Sequence, residues 1–447
     1  MKIIIAGAGD IGFHLAKLLS TEQKDIVLID INPDVLEYAS KKLDVLTIKG
    51  DSSSLKILKN AGVENADMFL AVTTSENNNI VSAILAKNLG AKQTIARVNK
   101  LEFLNQDQKN IFANLGVDKL INPVYLGTQE IERLLELGAV TDSFDFEGGK
   151  LSLLGITIDQ NSLFLGRSLK ELDDMYPNLD SRPIALLREN ETILPRTNEV
   201  LRLNDHVYFI TVSKDVDKLV NVLGKKSKSI KNVMILGGTD LSLITARQLE
   251  RKYKVTIVEE SKSRCRLLTD ELQKSTIINS DPSNHDVLKE EGLEDMDAFI
   301  ALTPNSEINI LASLMAEQVG VPKTIAHVDN TVYTRLSQRI GVDTLINKKL
   351  IAANYIFRFV RKGKIEAITS LHGVDAEVIE YVIAPNSKLT RKPLREIKFP
   401  VNTLIGGVIR GETSIIPNGD FVLAPEDRVI VFGVSDSISN LEDMFRK

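Results

Sequence analysis

Six residues near the start of the chain, Gly7-Ala8-Gly9-Asp10-Ile11-Gly12, carry the spacing G-x-G-x-x-G. They follow the apolar run Ile3 to Ala6 and open an amphipathic pattern, and in that setting the spacing makes a phosphate cradle. Gly7 permits a tight turn, Gly9 lets backbone N–H groups approach a pyrophosphate, and Gly12 lets the following helix pack close to a sheet. Asp30 ends the second apolar run, 18 residues beyond Gly12, where a carboxylate would accept hydrogen bonds from both hydroxyls of an adenosine ribose. Ile31-Asn32-Pro33 comes next, with no Arg or Lys to receive a 2′-phosphate, so the pattern favours a nucleotide with a free 2′-hydroxyl over NADP.

Further candidates follow the later apolar runs. Asp51, in Lys49-Gly50-Asp51-Ser52-Ser53, can face the adenine side of a ligand or cap the helix holding Leu55 and Leu58. Thr73 and Glu76 have the T-x-x-E spacing of a capping box, a helix-start signal before it is a ligand contact. Arg97 can grip a phosphate through two N–H groups or make a surface ion pair. Chemistry beyond binding is thinly supplied. His14, His206, His285, His327 and His372 are scattered, with no acid–base constellation among them. Tyr38 and Lys42 share the Y-x-x-x-K spacing of short-chain dehydrogenases but follow the second apolar run, far from where that motif belongs. No G-x-x-x-x-G-K-[ST] loop, H-E-x-x-H or paired-Cys spacing occurs, and the single Cys265 cannot form an intrachain disulfide. No catalytic residue and no metal site is therefore expected. An NAD-dependent dehydrogenase is the alternative that a dinucleotide cradle invites.

The elements that must position these residues occur twice. Lys2 to Gly12 recurs as Asn232 to Ser242 at an offset of 230, and the offset persists through Asp51 and Asp281, Asp67 and Asp297, and Thr94 to Val98 with Thr324 to Val328. It becomes 225 for Gly116-Val117-Asp118 with Gly341-Val342-Asp343 and for Asn161-Ser162 with Asn386-Ser387, then 222 for Pro195 with Pro417 and Asp205 with Asp427. The polar stretch Lys225 to Ser229 reads as the linker between the copies. In each copy, short apolar runs alternating with helical stripes (Ile3 to Ala6, Ile26 to Ile29, Val45 to Ile48, Met68 to Val72, Thr94 to Val98) predict a βαβ parallel sheet. Leu151 to Ile158, Pro183 to Leu187 and His206 to Val212, with polar helices from Ser168 and Lys214, predict a smaller α+β module. The fold class is α/β: two tandem Rossmann-like domains, 1–135 and 230–355, each followed by a small α+β lobe, 140–224 and 363–447. The second cradle is degraded, with Thr239 and Ser242 replacing its later glycines, Pro304 at the place of Thr74 and His327 at that of Arg97, although Glu259 and Asp281 persist; a structural copy is the favoured reading.

Composition narrows the function classes. A net charge of −5 at pH 7, without a basic block, argues against a nucleic-acid partner. The longest stretch without a charged residue, Phe399 to Ile409, is 11 residues, against the roughly 20 needed to span a bilayer. A cytoplasmic location is expected.

Gly7 to Gly12, Leu28-Ile29-Asp30, Lys49 to Ser53, Ala71 to Asn78 and Thr94 to Val98, repeated in tandem with small lobes, make the whole chain resemble the TrkA family, peripheral regulatory subunits of bacterial potassium uptake systems. Each unit is similar to a regulator-of-potassium-conductance domain. The resemblance implies a homo-oligomeric ring, a tetramer, on the inner face of the cell membrane beneath a TrkH-like potassium-translocating subunit. It implies regulation by NAD(H), ATP or ADP, with ring conformation gating the pore. The family's binding pattern falls on Gly7, Ala8, Gly9, Asp10, Ile11, Gly12, Asp30, Asp51, Thr73 and Arg97.

Overall fold

The computed structural model describes residues 1–20, 24–136, 140–160, 162–189, 191–223, 230–329, 342, 344–360, 365–370, 376–434, 437, 441 and 444–445. The linker Lys225 to Ser229, the repeat positions Asn161, Gly341 and Asp343, and His372 lie outside the described residues.

Strands β1 (Lys2–Ala6), β2 (Asp25–Asp30), β3 (Leu46–Lys49), β4 (Met68–Ala71), β5 (Gln93–Arg97) and β6 (Lys119–Ile121) form a sheet in the order β3-β2-β1-β4-β5-β6. Every pairing is parallel. Helices cover both faces of such a sheet, so its central strands are apolar on both sides; Ile3, Ile4, Ile5 and Ala6 are all fully buried. The order reverses between β1 and β4, and the carboxyl ends of those strands therefore open the crevice in which α/β folds hold ligands. β6 escaped the sequence reading because three residues, Lys119-Leu120-Ile121, are too short to register as an apolar run. The second copy repeats the order with Thr276–Asn279, Lys254–Glu259, Asn232–Leu236, Ala298–Ala301, Lys323–His327 and Thr344–Ile346.

The first small lobe is an antiparallel sheet in the order Glu191–Ile193, Ser181–Arg188, His206–Val212, Leu151–Thr157, Asp142–Phe146. The second has Ile365–Ser370, Ala376–Val382, Arg428–Val434, Thr403–Arg410, Thr413–Ile415. The two share one apolar core, in which Phe146, Leu151, Tyr208 and Ile210 cluster with Val378, Ile430 and Phe432. The repeat also explains two matched ion pairs. Asp205 and Asp427 are buried, and each takes a two-pronged guanidinium, Arg188 and Arg410 respectively, at 2.8 Å.

The described chain divides into two compact units. One comprises Met1–Glu130, Thr239–Gln248 and Ile346–Val360; the other comprises Ile131–Gly238, Leu249–Leu345 and Arg361–Lys447. Within the first, the helix Asp10–Ser20 packs on the helix Lys348–Val360, which belongs to the second copy. Burial in this contact lowers His14 to about pKa 4, and its ring is hydrogen-bonded to Asn354. A neutral, structural histidine results.

In the second unit, Glu380 is buried 3.4 Å from Arg428, which also pairs with Glu147 at 2.7 Å. Burial, and then the Glu147 charge, raise the Glu380 carboxyl from 4.5 to about 7. The folded chain then binds this proton more tightly than the unfolded chain, so the stabilisation is complete below the unfolded value and is lost as pH rises through about 7. Glu380→Gln should remove that pH dependence and raise stability at pH 8 by about 3 kcal/mol relative to its effect at pH 5. Parallel wild-type and variant pH profiles of unfolding free energy would contradict this.

Candidate nucleotide site

The cradle forms where β1 meets the helix Asp10–Ser20. Gly7 has φ +103°, and a Cβ there would stand 2.8 Å from the Thr73 nitrogen. A Cβ on Gly12 would run into the carbonyl oxygen of Gly7. Gly9 differs from both. Beyond its chain neighbours, no atom of the described residues lies within 4 Å of its would-be Cβ, so their packing does not require a glycine, and its bare backbone faces open space of the kind a phosphate needs. Phe13 N donates to Gly9 O at 2.8 Å, the first bond of the helix whose N-terminal N–H groups point at that space.

Asp30 fixes the turn from below. Its Oδ2 accepts from Ala8 N at 2.7 Å and its Oδ1 from Asn32 N at 2.9 Å. Both oxygens keep lone pairs for a ribose, because a carboxylate accepts about two bonds per oxygen. Asp10 is exposed and paired with Lys349 Nζ at 2.7 Å, a residue of the second copy within the same compact unit.

Two helix-start expectations are corrected. The helix Glu76–Leu89 is capped by Ser75, whose side chain accepts from Asn78 N, not by Thr73 in a capping box. Thr73 instead donates to Asn79 Oδ1 at 2.6 Å, and Glu76 accepts from Asn99 N and Lys100 N, closing the turn after β5. Nor does Asp51 cap the helix Leu55–Asn60, whose N-cap is Ser54. Asp51 Oδ1 gathers Ser53 N, Ser53 Oγ and Asn78 Nδ2, and these donors, led by the Ser53 N–H, hold its carboxyl below the usual range.

Asn79 is the residue that sequence reasoning missed. Fully buried, it accepts from Thr73 N and Oγ1 and donates to Thr73 O and Arg97 O, tying the ends of β4 and β5 together. Its counterpart Asn309 does the same with Thr303 and His327. The recurrence of Asn at an offset of 230 was the available signal. Arg97 is drawn partly out of solvent by this arrangement. Burial lowers its pKa, and its Nε is buried with no hydrogen-bond partner among the described residues. A desolvated guanidinium N–H without an acceptor is costly unless an anion completes it.

The second copy keeps the scaffold with a different lining. Gly237 repeats the positive φ, and Gly238 N donates to Glu259 Oε2 at 2.5 Å. The Arg264 side chain, however, lies against Gly238 and donates to its carbonyl oxygen. A cleft of about 720 Å³ at the ends of these strands is lined by Glu260, Asp281, Glu307 and Asp329, with no Lys, Arg or His among the described residues of its lining. Phosphates are repelled by such a wall. Elsewhere, Tyr38 packs on Phe13 in a helix ending at Lys42, and burial raises the Cys265 thiol pKa, which leaves it a poor nucleophile.

Comparison with known proteins bears on the family and the fold. Residues 3–123 and 233–348 match the TrkA-N domain, and residues 153–224 and 378–446 match the TrkA-C domain. The Trk system potassium uptake protein TrkA homolog 1 of Methanosarcina mazei is 31% identical over 455 residues, covering all of both chains. TrkA of Halomonas elongata is 32% identical over 453 residues, covering 100% of this chain and 99% of that protein. The TrkA homolog of Archaeoglobus fulgidus is 32% identical over 447 residues, covering all of both. Among solved structures, the GsuK RCK domain superposes with a TM-score of 0.60 at 15% identity over 100% of this chain and 95% of that one. The GsuK channel bound to NAD gives 0.60 at 15% over 100% and 79%. Both share the fold. With each domain type present twice and relatives near 30% identity along its whole length, the chain belongs to the TrkA family.

Proposed function

We propose that this chain is the regulatory subunit of a potassium uptake system and that an adenine nucleotide, NAD(H), ATP or ADP, binds at its first cradle. Gly7, Ala8, Gly9, Asp10, Ile11 and Gly12 receive the phosphates, Asp30 the ribose, and Asp51 the adenine side, while Thr73 and Arg97 complete the phosphate end. The orphaned Nε of Arg97 carries the reading, because it is the group that a bound phosphate would satisfy. The relatives' naming as Trk potassium uptake proteins supports the transport context, and GsuK solved with NAD and with ADP supports the ligand class. The subunit works as a tetrameric ring on the cytoplasmic side of the membrane beneath a TrkH-like partner and is a binder, not an enzyme.

Ligands shift such a ring only by their difference in affinity between its two shapes, and a coupling of about 1 to 3 kcal/mol changes gating about 5- to 150-fold. Calorimetry with ATP, ADP, NAD and NADH should give saturable binding of one nucleotide per chain, since the described lining of the second cleft is acidic, and no NADH turnover with carbonyl substrates. Solution scattering should differ between the ATP and ADP states. Two equivalent sites per chain would contradict the assignment of the second copy, and an absence of binding to any of the four would sink the reading altogether.

A further inference from the structure

A cavity of about 330 Å³ lies in the second compact unit, beside the start of the strand Ser181–Arg188 in the first small lobe. Small-molecule sites run from about 300 to 1,000 Å³, so it suits a ligand of modest size. Its wall is aromatic. Phe164, Tyr176 and Phe209 line it, with ring centroids 6.3 Å apart for Phe164 and Tyr176 and 6.1 Å apart for Phe164 and Phe209. Leu172 and Leu179 extend that wall, and Leu404 adds to it from the second lobe.

Polar side chains with incomplete bonding share this lining. Arg182 Nη1 donates to Ile405 O at 3.1 Å and Nη2 to Pro417 O at 2.6 Å, so three of its five N–H groups have no acceptor among the described residues. Burial draws the guanidinium pKa down, the mark of a cation taken out of water. Ser181 Oγ is buried with no hydrogen-bond partner among the described residues. Arg196 is exposed, and its side chain makes no ion pair among them. Asp173 is likewise unpaired; burial raises its carboxyl pKa and the Arg182 charge opposes the rise, so the two sense each other without forming a salt bridge. Two arginines against one aspartate leave a single positive charge in excess in the lining.

The repeat supplies an independent observation. At the offset of 222, Arg182 corresponds to Leu404, and the strand registers agree, since Arg182 stands opposite Ile210 as Leu404 stands opposite Phe432. Arg182 and its own counterpart therefore line one cavity, a cation on one side and hydrocarbon on the other. Arg196 and Phe209 correspond to Asn418 and Val431, so the second lobe repeats neither the charge nor the ring. A ligand matched to such a cavity has one charged end and one apolar end.

We propose that this cavity binds a small amphipathic monoanion, an aromatic carboxylate, with its charged end on the open N–H groups of Arg182 and its ring among Phe164, Tyr176 and Phe209. A guanidinium and a carboxylate make charge-assisted hydrogen bonds, and aromatic rings pack favourably edge to face or offset. A polyphosphate brings more negative charge than the single excess cation balances, with Asp173 repelling the remainder. Bound there, the ligand touches both lobes at once through Arg182 and Leu404, and it stabilises their packing by mass action. The site is independent of the nucleotide cradle, whose residues belong to the first compact unit.

The test is calorimetry and thermal unfolding of the full chain with benzoate, phenylpropionate and phenylbutyrate, set against phenylbutanol as the uncharged analogue. Phenylbutyrate should bind saturably, one per chain, and raise the melting temperature, while phenylbutanol binds about tenfold more weakly, as expected for losing one charged hydrogen bond. Arg182→Gln should weaken the carboxylates about tenfold and leave phenylbutanol unchanged. Asp173→Asn, at an exposed position, should strengthen the carboxylates about threefold, the scale of an exposed charge pair, and keeps the proposal testable if Arg182→Gln does not fold. No saturable binding by any of the three carboxylates, equal affinity for phenylbutyrate and phenylbutanol, or wild-type carboxylate affinity in Asp173→Asn would each overturn the proposal while leaving the nucleotide site standing.

Discussion

Asp30→Ala should lower nucleotide affinity by about two orders of magnitude, corresponding to about 3 kcal/mol for the hydrogen bonds that a carboxylate makes to a ribose. The loss has two sources. The ribose loses its acceptor, and the cradle loses the brace that Asp30 provides through Ala8 N and Asn32 N. Ala8 is buried, so its N–H is left without a partner, at a cost of about 1 to 3 kcal/mol in stability. Asp30→Asn separates the two effects, because an amide oxygen can still accept from Ala8 N. It should recover most of the melting temperature and only part of the affinity. Calorimetry and thermal unfolding on both variants are the measurements, and an Asp30→Ala chain that binds ATP and NAD like the wild type would remove Asp30 from the site.

Gly12→Ala should be the most damaging single methyl group in the first cradle. The added carbon meets the Gly7 carbonyl oxygen, a backbone atom that cannot rotate away, so the helix must move off β1 or the turn must open. A destabilisation of about 3 kcal/mol, the upper end for overpacking, is expected together with loss of nucleotide binding. Gly9→Ala is the matched control. Its methyl group enters open space, so stability should change by less than about 0.5 kcal/mol, while phosphate binding falls because the space is the ligand's. Equal melting temperatures for Gly12→Ala and Gly9→Ala would refute the distinction drawn between the two glycines.

The sequence made the periodic features readable. β1, β2, β4 and β5 were visible because buried parallel strands are uninterrupted apolar runs, and the small lobes because His206–Val212 and its neighbours are strongly β-forming. The cradle itself was visible because tight turns and close approach demand glycine at fixed places. What stayed hidden has no local signature. Asn79 is one polar residue among the three in Asn77-Asn78-Asn79, and only the fold shows which of them is turned inward to join two strand ends. Thr73 and Asp51 looked like caps because capping depends on where the helix begins, and each helix begins a few residues later than the spacing implied. Lys349 is 339 positions from its partner Asp10, beyond any pattern that a window along the chain can detect.

The exchange of helices within the first compact unit bears on what a tandem chain can encode. The helix Asp10–Ser20 of one copy packs on Lys348–Val360 of the other. Reciprocally, the equivalent helices Pro123–Glu136 and Asp240–Leu249 meet through the Thr128 and Thr245 hydroxyls at 3.2 Å and through Leu241 against Gly127. This is the relation a two-fold axis imposes, in which patch i meets patch j and patch j meets patch i. A single-repeat chain could close both contacts only by pairing with a second identical chain, whereas the tandem chain closes them intramolecularly at high effective concentration. Joined in one chain, the two halves need not be identical. One can keep its glycines while the other accepts Thr239, and a lysine can stand on one side of the two-fold relation and not on the other, an asymmetry that no homodimer can encode.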